Sequence, residues 1–344
     1  MSLTIQHDAK QGTATPSPLV DPFGRRHTSL RISVTDRCNI RCFYCMPAEG
    51  VVFRPRTELL TFEEIERFVR ALAPLGVDKL RLTGGEPLLR ADLPKLVRML
   101  ATIPGIRDLA LTTNGMLLDQ QAAALQSAGL RRINISLDTL NEATFERITR
   151  RQGLDRVLAG IAAAQETGFD EIRLNAIAIR GLTEEEIIPL ASFARDRKLE
   201  LRFIEFMPLD AEHHWSTDQV LTGAEIRRVI EERWGPLQVA PRDNASQPAV
   251  DFCFTDGGKV GFINPVSEPF CGDCNRLRLT AEGQVRNCLF STVEWDARRV
   301  LREGGGDDDL RALVRESVVA KAAAHGIGQS DFHQPQRAMY QIGG

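Results

Sequence analysis

The sequence contains no long apolar run, and this absence argues against two classes of protein. No stretch approaches the roughly 18 apolar residues that a membrane-spanning helix needs. The segment from Met1 to Val20 is polar, contains Pro16 and Pro18, and lacks the apolar core of a secretory signal peptide. We therefore expect residues 1–27 to form a flexible lead-in to a protein of the cytoplasm.

The sequence also lacks a strong net charge. The formal charge is −3 at pH 7, so neither nucleic acid nor a membrane surface is indicated as a partner. Lysine is scarce, since only 6 of the 43 basic residues are lysines. The ratio itself decides nothing, but the positions of the arginines matter because a guanidinium suits bidentate contacts with phosphate.

Cysteine is sparse, and its seven copies are unevenly distributed. An odd count in tight groups, without a secretory signal, favours metal binding over disulfides. The groups are Cys38, Cys42 and Cys45, followed by Cys271, Cys274 and Cys288. The seventh, Cys253, lies between two phenylalanines and is expected to be a small buried hydrophobe.

The first group has C-x3-C-x2-C spacing and directly follows the alternating segment Leu30 to Thr35. Alternation predicts a half-buried strand, so the cysteines lie on a loop at a strand's carboxyl end, where α/β folds place their chemistry. Three thiolates offer a soft metal three ligands, whereas iron–sulfur clusters usually take four cysteines. This set would therefore leave one iron open to a small molecule. A structural zinc loop and three unrelated thiols remain alternatives.

Strand and helix patterns alternate through the first two thirds of the chain. The predicted strands are 30–35, 79–83, 108–112, 132–137, 171–179 and 200–205, and the predicted helices are 61–74, 119–128, within 142–167, and one capped by Thr183 with Glu186 three residues on. Six β/α units imply a parallel sheet but fall short of the eight in a closed barrel. We predict an α/β fold with an open, partial (β/α)6 barrel of the TIM type over 28–210.

A C-terminal extension over 211–344 is predicted to follow the barrel. Its pattern indicates a helix at 224–234, a linker at 235–248, strands at 249–254 and 259–263, and a helix at 307–324.

The first cysteine motif, with Tyr44 just before the last cysteine, resembles the signature of the radical S-adenosylmethionine (SAM) superfamily. The resemblance implies the partial-barrel fold and a [4Fe–4S] cluster. The open iron of that cluster would hold the amino and carboxylate groups of SAM. An electron from the cluster would then cleave SAM to a 5′-deoxyadenosyl radical.

The second cysteine group, C-x2-C-x13-C, is a weak signal alone and could be half of a zinc site. It lacks a fourth cysteine or a nearby histidine that would close such a site. Further motifs are Thr83–Pro87, Leu201–Glu205, Cys274–Arg278 and the final Gly343-Gly344. Together with both cysteine groups, they make the chain similar from about Thr28 to its end to the GTP 3′,8-cyclase family of molybdenum cofactor biosynthesis.

This resemblance implies a lyase with two [4Fe–4S] clusters, the second of which binds GTP through the guanine base. The radical would remove the hydrogen at ribose C3′, and the carbon radical would attack C8. The product would be (8S)-3′,8-cyclo-7,8-dihydroguanosine 5′-triphosphate. The resemblance also implies an electron donor such as flavodoxin or ferredoxin, a downstream cyclic pyranopterin monophosphate synthase, and a homodimer.

The same resemblance assigns roles residue by residue. The SAM contacts would be Tyr44, Gly85, Ser136 and Met207; the GTP contacts would be Arg31, Arg81, Thr112, Arg173, Arg276, Leu277 and Arg278; the catalytic residues would be Arg202, Gly343 and Gly344. The family often carries lysine at position 173, where a planar guanidinium replaces a point charge.

Residue types alone allow plainer interpretations. Arg31, Arg81 and Arg202 could form salt bridges on strands, and Met207 could be a core residue. Two other functions stay open: a radical-SAM peptide maturase, whose auxiliary clusters also use C-terminal cysteines, and a zinc-stabilised binding module.

Overall fold

The structure of this chain, a computed structural model, describes residues 17–242, 244–330 and 332–343. These residues form a single 12-stranded sheet with helices packed on its outer face. The strands are β1 (Ser29–Ser33), β2 (Lys79–Thr83), β3 (Asp108–Thr113), β4 (Arg132–Ser136), β5 (Glu171–Ala178), β6 (Glu200–Glu205), β7 (Gln238–Val239), β8 (Val250–Cys253), β9 (Lys259–Ile263), β10 (Arg276–Leu279), β11 (Gln284–Arg286) and β12 (Trp295–Asp296).

The first six strands lie side by side in chain order, and every neighbouring pair is parallel. A further parallel strand adds to each edge, since β10 pairs with β1 and β9 pairs with β6. Among the described residues the sheet order runs from β12 to β7 and does not close on itself. The predicted α/β partial barrel is confirmed.

The C-terminal extension is integrated into the sheet, which the sequence does not predict. Both flanking strands of the parallel set come from this extension, and antiparallel strands continue each edge outward. As a result, the second cysteine pair, just before β10, lies beside the strand that leads into the first cysteine loop.

Most of the predicted helices are present, but the helix predicted at 307–324 ends at Val319, and three further helices have no predicted counterpart. The helices are α1 (Phe62–Leu72), α2 (Leu93–Ala101), α3 (Leu118–Ser127), α4 (Glu142–Thr149), α5 (Leu154–Thr167), α6 (Ile187–Asp196), α7 (Gly223–Trp234), α8 (Ala297–Arg302), α9 (Asp307–Val319) and α10 (Met339–Ile342). The capping box that begins α1 is formed, because Thr61 and Glu64 each accept a hydrogen bond from the other's backbone amide.

The predicted cap at Thr183 is wrong. A 3-10 turn, Glu184–Glu186, precedes α6, and the Thr183 hydroxyl accepts from the amide of Ile179, not from an amide of the following helix. The hydroxyl satisfies a donor at the end of β5 and is therefore unavailable to the helix.

Alternation along the parallel strands separates two environments. Residues such as Leu30, Leu82, Ile133 and Leu201 are buried in the hydrophobic core between sheet and helices. Their neighbours in sequence are mostly polar or charged and line the interior of the partial barrel. Because side chains alternate between faces with a period of two, each strand contributes to both environments.

The described part of the lead-in is packed, contrary to the expected flexibility of 1–27. Leu19 is buried, and Asp21 accepts hydrogen bonds from Arg25 and pairs with His27. Residues 1–16 lie outside the described residues. Among the helices that the structure describes, none has the length and apolarity to cross a membrane.

Candidate active site

Two adjoining cavities occupy the barrel interior. The larger, of about 280 Å³, is lined by all six cysteines of the two predicted groups. The smaller, of about 180 Å³, lies toward the amino ends of the strands and shares Arg31, Thr112 and Arg276 with the larger. The two cysteine groups therefore face one space, and a basic cavity continues from it.

Neighbouring turns position the first cysteine loop. The amides of Gly85 and Glu86 donate to the carbonyls of Thr35 and Arg37, which precede Cys38. A Cβ at Gly85 would lie 2.6 Å from the carbonyl carbon of Arg37. Glycine is therefore required here for close packing against the cysteine loop, in addition to any contact with a ligand.

The first set of thiols lies in an environment that disfavours a bare thiolate. Burial, and then the charge of Glu86, raise the pKa of Cys38 to about 11. Burial also raises the pKa of Cys42 and of Cys45, with Asp138 adding to the effect at Cys42. A cationic iron–sulfur core would offset this cost, because a metal deprotonates the thiol that it binds.

The second set has a different electrostatic environment. Burial alone would raise the pKa of Cys274, but the charges of Arg276 and Lys321 outweigh it and lower the pKa to about 6. Two guanidinium nitrogens of Arg276 lie 3.4 Å from the Cys274 sulfur. Cys271 keeps a raised pKa, caused mainly by burial.

Both donor sets fit three-thiolate ligation of a cluster better than binding of a single ion. Among the described residues, no three His, Cys, Asp or Glu side chains converge on one metal position. A four-iron cluster does not need such convergence, because each cysteine binds a different iron.

His325 lines the same cavity near the second set, although no nearby histidine is evident from the sequence. Its Nδ1 accepts from the amide of Ile327, and the ring also bonds the carbonyl of Pro265. Both ring nitrogens are thus engaged by backbone, which leaves this histidine unable to complete a closed zinc site.

Arginines at matching register positions line the interior. Arg31 lies opposite Arg81 on one side and opposite Arg278 on the other. Burial, followed by the neighbouring guanidinium charges, lowers the pKa of both Arg31 and Arg81. No ion pair joins either of them to a carboxylate within the described ranges. This uncompensated positive charge suits a polyanion.

Arg173 and Arg202 carry their own counter-ions. Arg173 pairs with Glu171 and with Glu200, and Arg202 pairs with Glu200 at 2.5 Å and Asp251 at 3.2 Å. The plain salt-bridge interpretation therefore describes Arg202 but not Arg31 or Arg81. Both paired arginines still line the smaller cavity.

The four predicted SAM contacts all line the larger cavity. The Tyr44 hydroxyl donates to the carboxylate of Asp138 at 2.6 Å, and that carboxylate also accepts from the amide of Ile177. The Asp138 carboxylate thereby fixes the position of Tyr44. Ser136 ends β4, and Met207 is half-buried just beyond β6.

The other predicted GTP contacts differ in whether their side chains line the cavities. Thr112 and Arg276 line both cavities, and Arg278 lines the larger one. The side chain of Leu277 is fully buried in the hydrophobic core, because it alternates with the two arginines. Any contact between Leu277 and a ligand would use its main chain.

Residues 340–343 reach this interior. The Gly343 carbonyl accepts from Arg278, and the amide of Tyr340 bonds the Cys45 sulfur. Gly343 has φ of +80°, and a Cβ there would collide with Ser33 and lie 2.7 Å from Thr83 Cγ2. Gly344 lies outside the described residues.

Several residues with a place in the site carry no clear sequence signal. Asn114 donates to Asn39 at 2.7 Å and to the Cys38 sulfur at 3.8 Å. Arg25 donates to the carbonyls of Cys271, Ala322 and Ala323. The ammonium of Lys321 lies 3.6 Å from the Cys274 sulfur.

Two family models match the chain. Residues 32–194 match the Radical SAM superfamily, and residues 199–327 match Molybdenum Cofactor Synthesis C. Proteins named GTP 3′,8-cyclase are similar over nearly the whole length. One from Rhodopirellula baltica is 54% identical over 96% of this chain and 93% of its own. One from Pelotomaculum thermopropionicum is 45% identical over 94% and 99%.

Solved structures agree on the fold at much lower identity. The crystal structure of Streptococcus suis SuiB bound to S-adenosylmethionine aligns with a TM-score of 0.59 and 17% identity, covering 84% of this chain and 68% of that one. SuiB bound to precursor peptide SuiA aligns with the same TM-score. At this identity the likeness concerns the fold alone.

Proposed function

This chain belongs to the GTP 3′,8-cyclase family of the radical SAM superfamily, and from that premise we propose how its residues divide the work. The enzyme is a lyase that converts GTP to (8S)-3′,8-cyclo-7,8-dihydroguanosine 5′-triphosphate in molybdenum cofactor biosynthesis. It uses SAM and a [4Fe–4S] cluster. The observation that carries the assignment of sites is that both cysteine sets line one cavity.

Cys38, Cys42 and Cys45 are the proposed ligands of the first cluster. When bound, that cluster would supply the electron that cleaves SAM to methionine and the 5′-deoxyadenosyl radical, and this radical would take the hydrogen at C3′ of GTP. Tyr44, held by Asp138, together with Ser136, Gly85 and Met207, contacts SAM in this proposal. Their positions around the first cysteine loop support it.

Cys271, Cys274 and Cys288 are the proposed ligands of a second [4Fe–4S] cluster. A set of three leaves one iron position for the guanine base of GTP. Three observations support this proposal. The set has three thiols, the ring of His325 is engaged by backbone groups, and the cations around Cys274 favour its thiolate.

Arg31, Arg81, Arg276 and Arg278 are proposed to hold the triphosphate. A triphosphate needs several fixed cations, and these four have no described carboxylate partner. The continuity of the two cavities supports a GTP pose with its base toward the second cysteine set and its phosphates toward the smaller cavity. Thr112, Arg173 and the main chain of Leu277 complete this proposed site.

Arg202, Gly343 and Gly344 are the proposed catalytic residues. Arg202 borders the smaller cavity while sharing its charge with two carboxylates, so it suits orientation of substrate more than neutralisation of phosphate. Gly343 lies against Arg278, where the tail can exclude water from the reacting groups.

The remaining proposals concern the setting of the enzyme. An electron donor such as flavodoxin or ferredoxin, a downstream cyclic pyranopterin monophosphate synthase and a homodimer are proposed from family membership. A cytoplasmic location is proposed because reduced clusters need a reducing compartment. The structural likeness to SuiB does not favour peptide chemistry, since that likeness concerns the fold alone.

Anaerobic reconstitution followed by turnover tests the proposal. The protein is incubated with GTP, SAM and dithionite, and products are identified by mass spectrometry. Formation of the cyclic nucleotide with 5′-deoxyadenosine is expected. Protein that binds about eight irons but yields no cyclic product with GTP would contradict the proposed sites, as would a colourless zinc protein.

A further inference from the structure

Lys321 is a buried lysine whose ammonium has no described carboxylate partner. Its exposure is 5%, and it lies two residues after the end of α9, where its amide donates to the carbonyl of Val318. A buried charge is costly unless another charge or hydrogen bonds compensate it. The Lys321 ammonium therefore needs a negative charge or hydrogen-bond acceptors close to it.

The ammonium has two described hydrogen-bond partners. It donates to the carbonyl of Arg276 at 3.0 Å and to the sulfur of Cys274 at 3.6 Å. Among the described residues, no carboxylate forms an ion pair with Lys321, and the carboxylate of Asp21, which contacts Arg25, is engaged by Arg25 at 2.5 Å and by His27 at 3.0 Å. The negative charge that balances Lys321 must therefore come from the cysteine sulfurs or from a group bound to them.

The segment around Lys321 is fixed in place from the N-terminal side. Arg25 donates to the carbonyls of Ala322 and Ala323, the two residues after Lys321, and to the carbonyl of Cys271. One guanidinium thus joins the lysine segment to the loop that carries the cysteines. This clamp holds the backbone of the lysine segment beside the cysteine loop, within reach of the Cys274 sulfur.

The two cysteine sets differ in this respect. Carboxylates act on the first set, Glu86 on Cys38 and Asp138 on Cys42. The cation Arg41 also acts on Cys38, but less than Glu86 does, and the side-chain donor to the Cys38 sulfur is the neutral amide of Asn114. Arg276 also acts on Cys274, but its guanidinium lines the cavity proposed for GTP. Lys321 does not line that cavity, so its charge is directed at the sulfur.

We propose that Lys321 is a positioning residue of the second cysteine set, whose buried ammonium donates to the Cys274 sulfur and raises the reduction potential of the cluster held there. The inference rests on the proposed second cluster. Reduction adds one negative charge to a cluster that three thiolates already make anionic. A nearby fixed cation and a hydrogen bond to sulfur therefore stabilise the reduced form.

The test measures potentials rather than turnover. In a C38A/C42A/C45A background, which retains only the second set, the cluster is titrated potentiometrically and followed by electron paramagnetic resonance. K321M should lower the reduction equilibrium constant about tenfold, which is about 59 mV toward negative potential for one electron. K321R should recover most of the shift, and K95M, at an exposed lysine paired with Glu63, should leave the potential unchanged.

If the reduction potential of K321M equalled that of K95M, the proposed role of Lys321 would be overturned, while the proposed second cluster would stand. If K321M loses the cluster, iron retention becomes the readout. Retention by K321R with loss from K321M and K321Q supports the proposal, and loss from K321R as well overturns it. If the wild-type protein bound about four irons rather than about eight, the proposed second cluster would be contradicted, and the inference about Lys321 would fail with it.

Discussion

The guanidinium of Arg278 donates a hydrogen bond to the main-chain carbonyl of Gly343. Arg278 lies on β10, which pairs with the strand leading to the first cysteine loop. Three residues before Gly343, the amide of Tyr340 bonds the sulfur of Cys45. Residues 340–343 therefore contact the surroundings of both cysteine sets, and their position should matter to the reaction.

Replacing Gly343 by alanine should displace the tail. The residue has φ of +80°, and the new Cβ would meet Ser33 and Thr83. We expect kcat for the cyclic product to fall at least about tenfold, a loss of about 1.4 kcal/mol in the transition state. Iron content should stay unchanged, because no cysteine is altered. Product formation and iron per chain are the measurements.

Gly168 provides the matched control for this change. It has φ of +77° with nothing near the position of a Cβ, so G168A carries the same backbone strain without the collision. G168A should cost about 1 kcal/mol of stability and leave kcat unchanged. Equal losses of kcat in the two variants would argue against a specific role for the tail.

The two cysteine sets should be separable by iron content. C45S should lose the first cluster and abolish 5′-deoxyadenosine formation, whereas C271S should retain the first cluster and lose the cyclic product. Each variant should bind about four irons rather than about eight. C253S is the control, since Cys253 lies on β8, outside both sets, and should leave iron unchanged. Normal 5′-deoxyadenosine production by C45S would refute the assignment.

The parallel core could be predicted from the sequence because its information is local. The alternating segments that predict strands from 79–83 to 200–205 depend on neighbours within a few residues, and all five of these strands end within one residue of the predicted position. The pairing of β9 with β6 and of β10 with β1 depends on contacts between distant segments, which periodicity does not encode.

The candidate site shows the same difference between local patterns, which the sequence predicts, and contacts between distant segments, which it does not. Cysteine spacing predicts each set, but the convergence of both sets on one cavity requires β10 beside β1. Lys321 and Arg25 escape sequence reasoning because each acts on a segment roughly 50 to 250 residues away, through single contacts that leave no local pattern. His325 was missed for the same reason.

Arg81 should lower the stability of the folded protein while strengthening the binding of GTP. Burial and then the charge of Arg31 lower its pKa, which reports that the unliganded interior disfavours this charge. R81M should therefore raise the free energy of unfolding by about 1 kcal/mol. It should also raise KM for GTP about tenfold or more, while KM for SAM stays unchanged. Urea unfolding and steady-state kinetics measure the two effects.

Arg228 is the control for this prediction. It pairs with Glu232 one turn further along α7, and the two side chains are 74% and 70% exposed. R228M should change the free energy of unfolding by less than about 0.5 kcal/mol and leave both KM values unchanged. If R81M destabilised the protein and left KM for GTP at the wild-type value, Arg81 would be a structural residue.

His27 should make stability depend on pH. Burial, then the charge of Lys321, lower its pKa from 6.5 to about 4. The folded state therefore keeps the imidazole neutral while the unfolded state takes up a proton below about pH 6.5. Acidification from pH 7 to 5.5 should then cost about 1 kcal/mol of unfolding free energy, and the whole contribution is lost as pH falls through 4.

The change H27Q removes this titration while keeping a donor for Asp21, so the slope between pH 7 and 5.5 should flatten in anaerobic urea unfolding. Asp21 does not obscure the result. Burial raises the pKa of its carboxyl, but the hydrogen bonds with His27 and Arg25 outweigh burial and hold the pKa at about 2, which is below the measured pH range. H214Q, at a side chain that is 73% exposed, should keep the wild-type slope. An unchanged slope in H27Q would mean that other groups set the acid sensitivity.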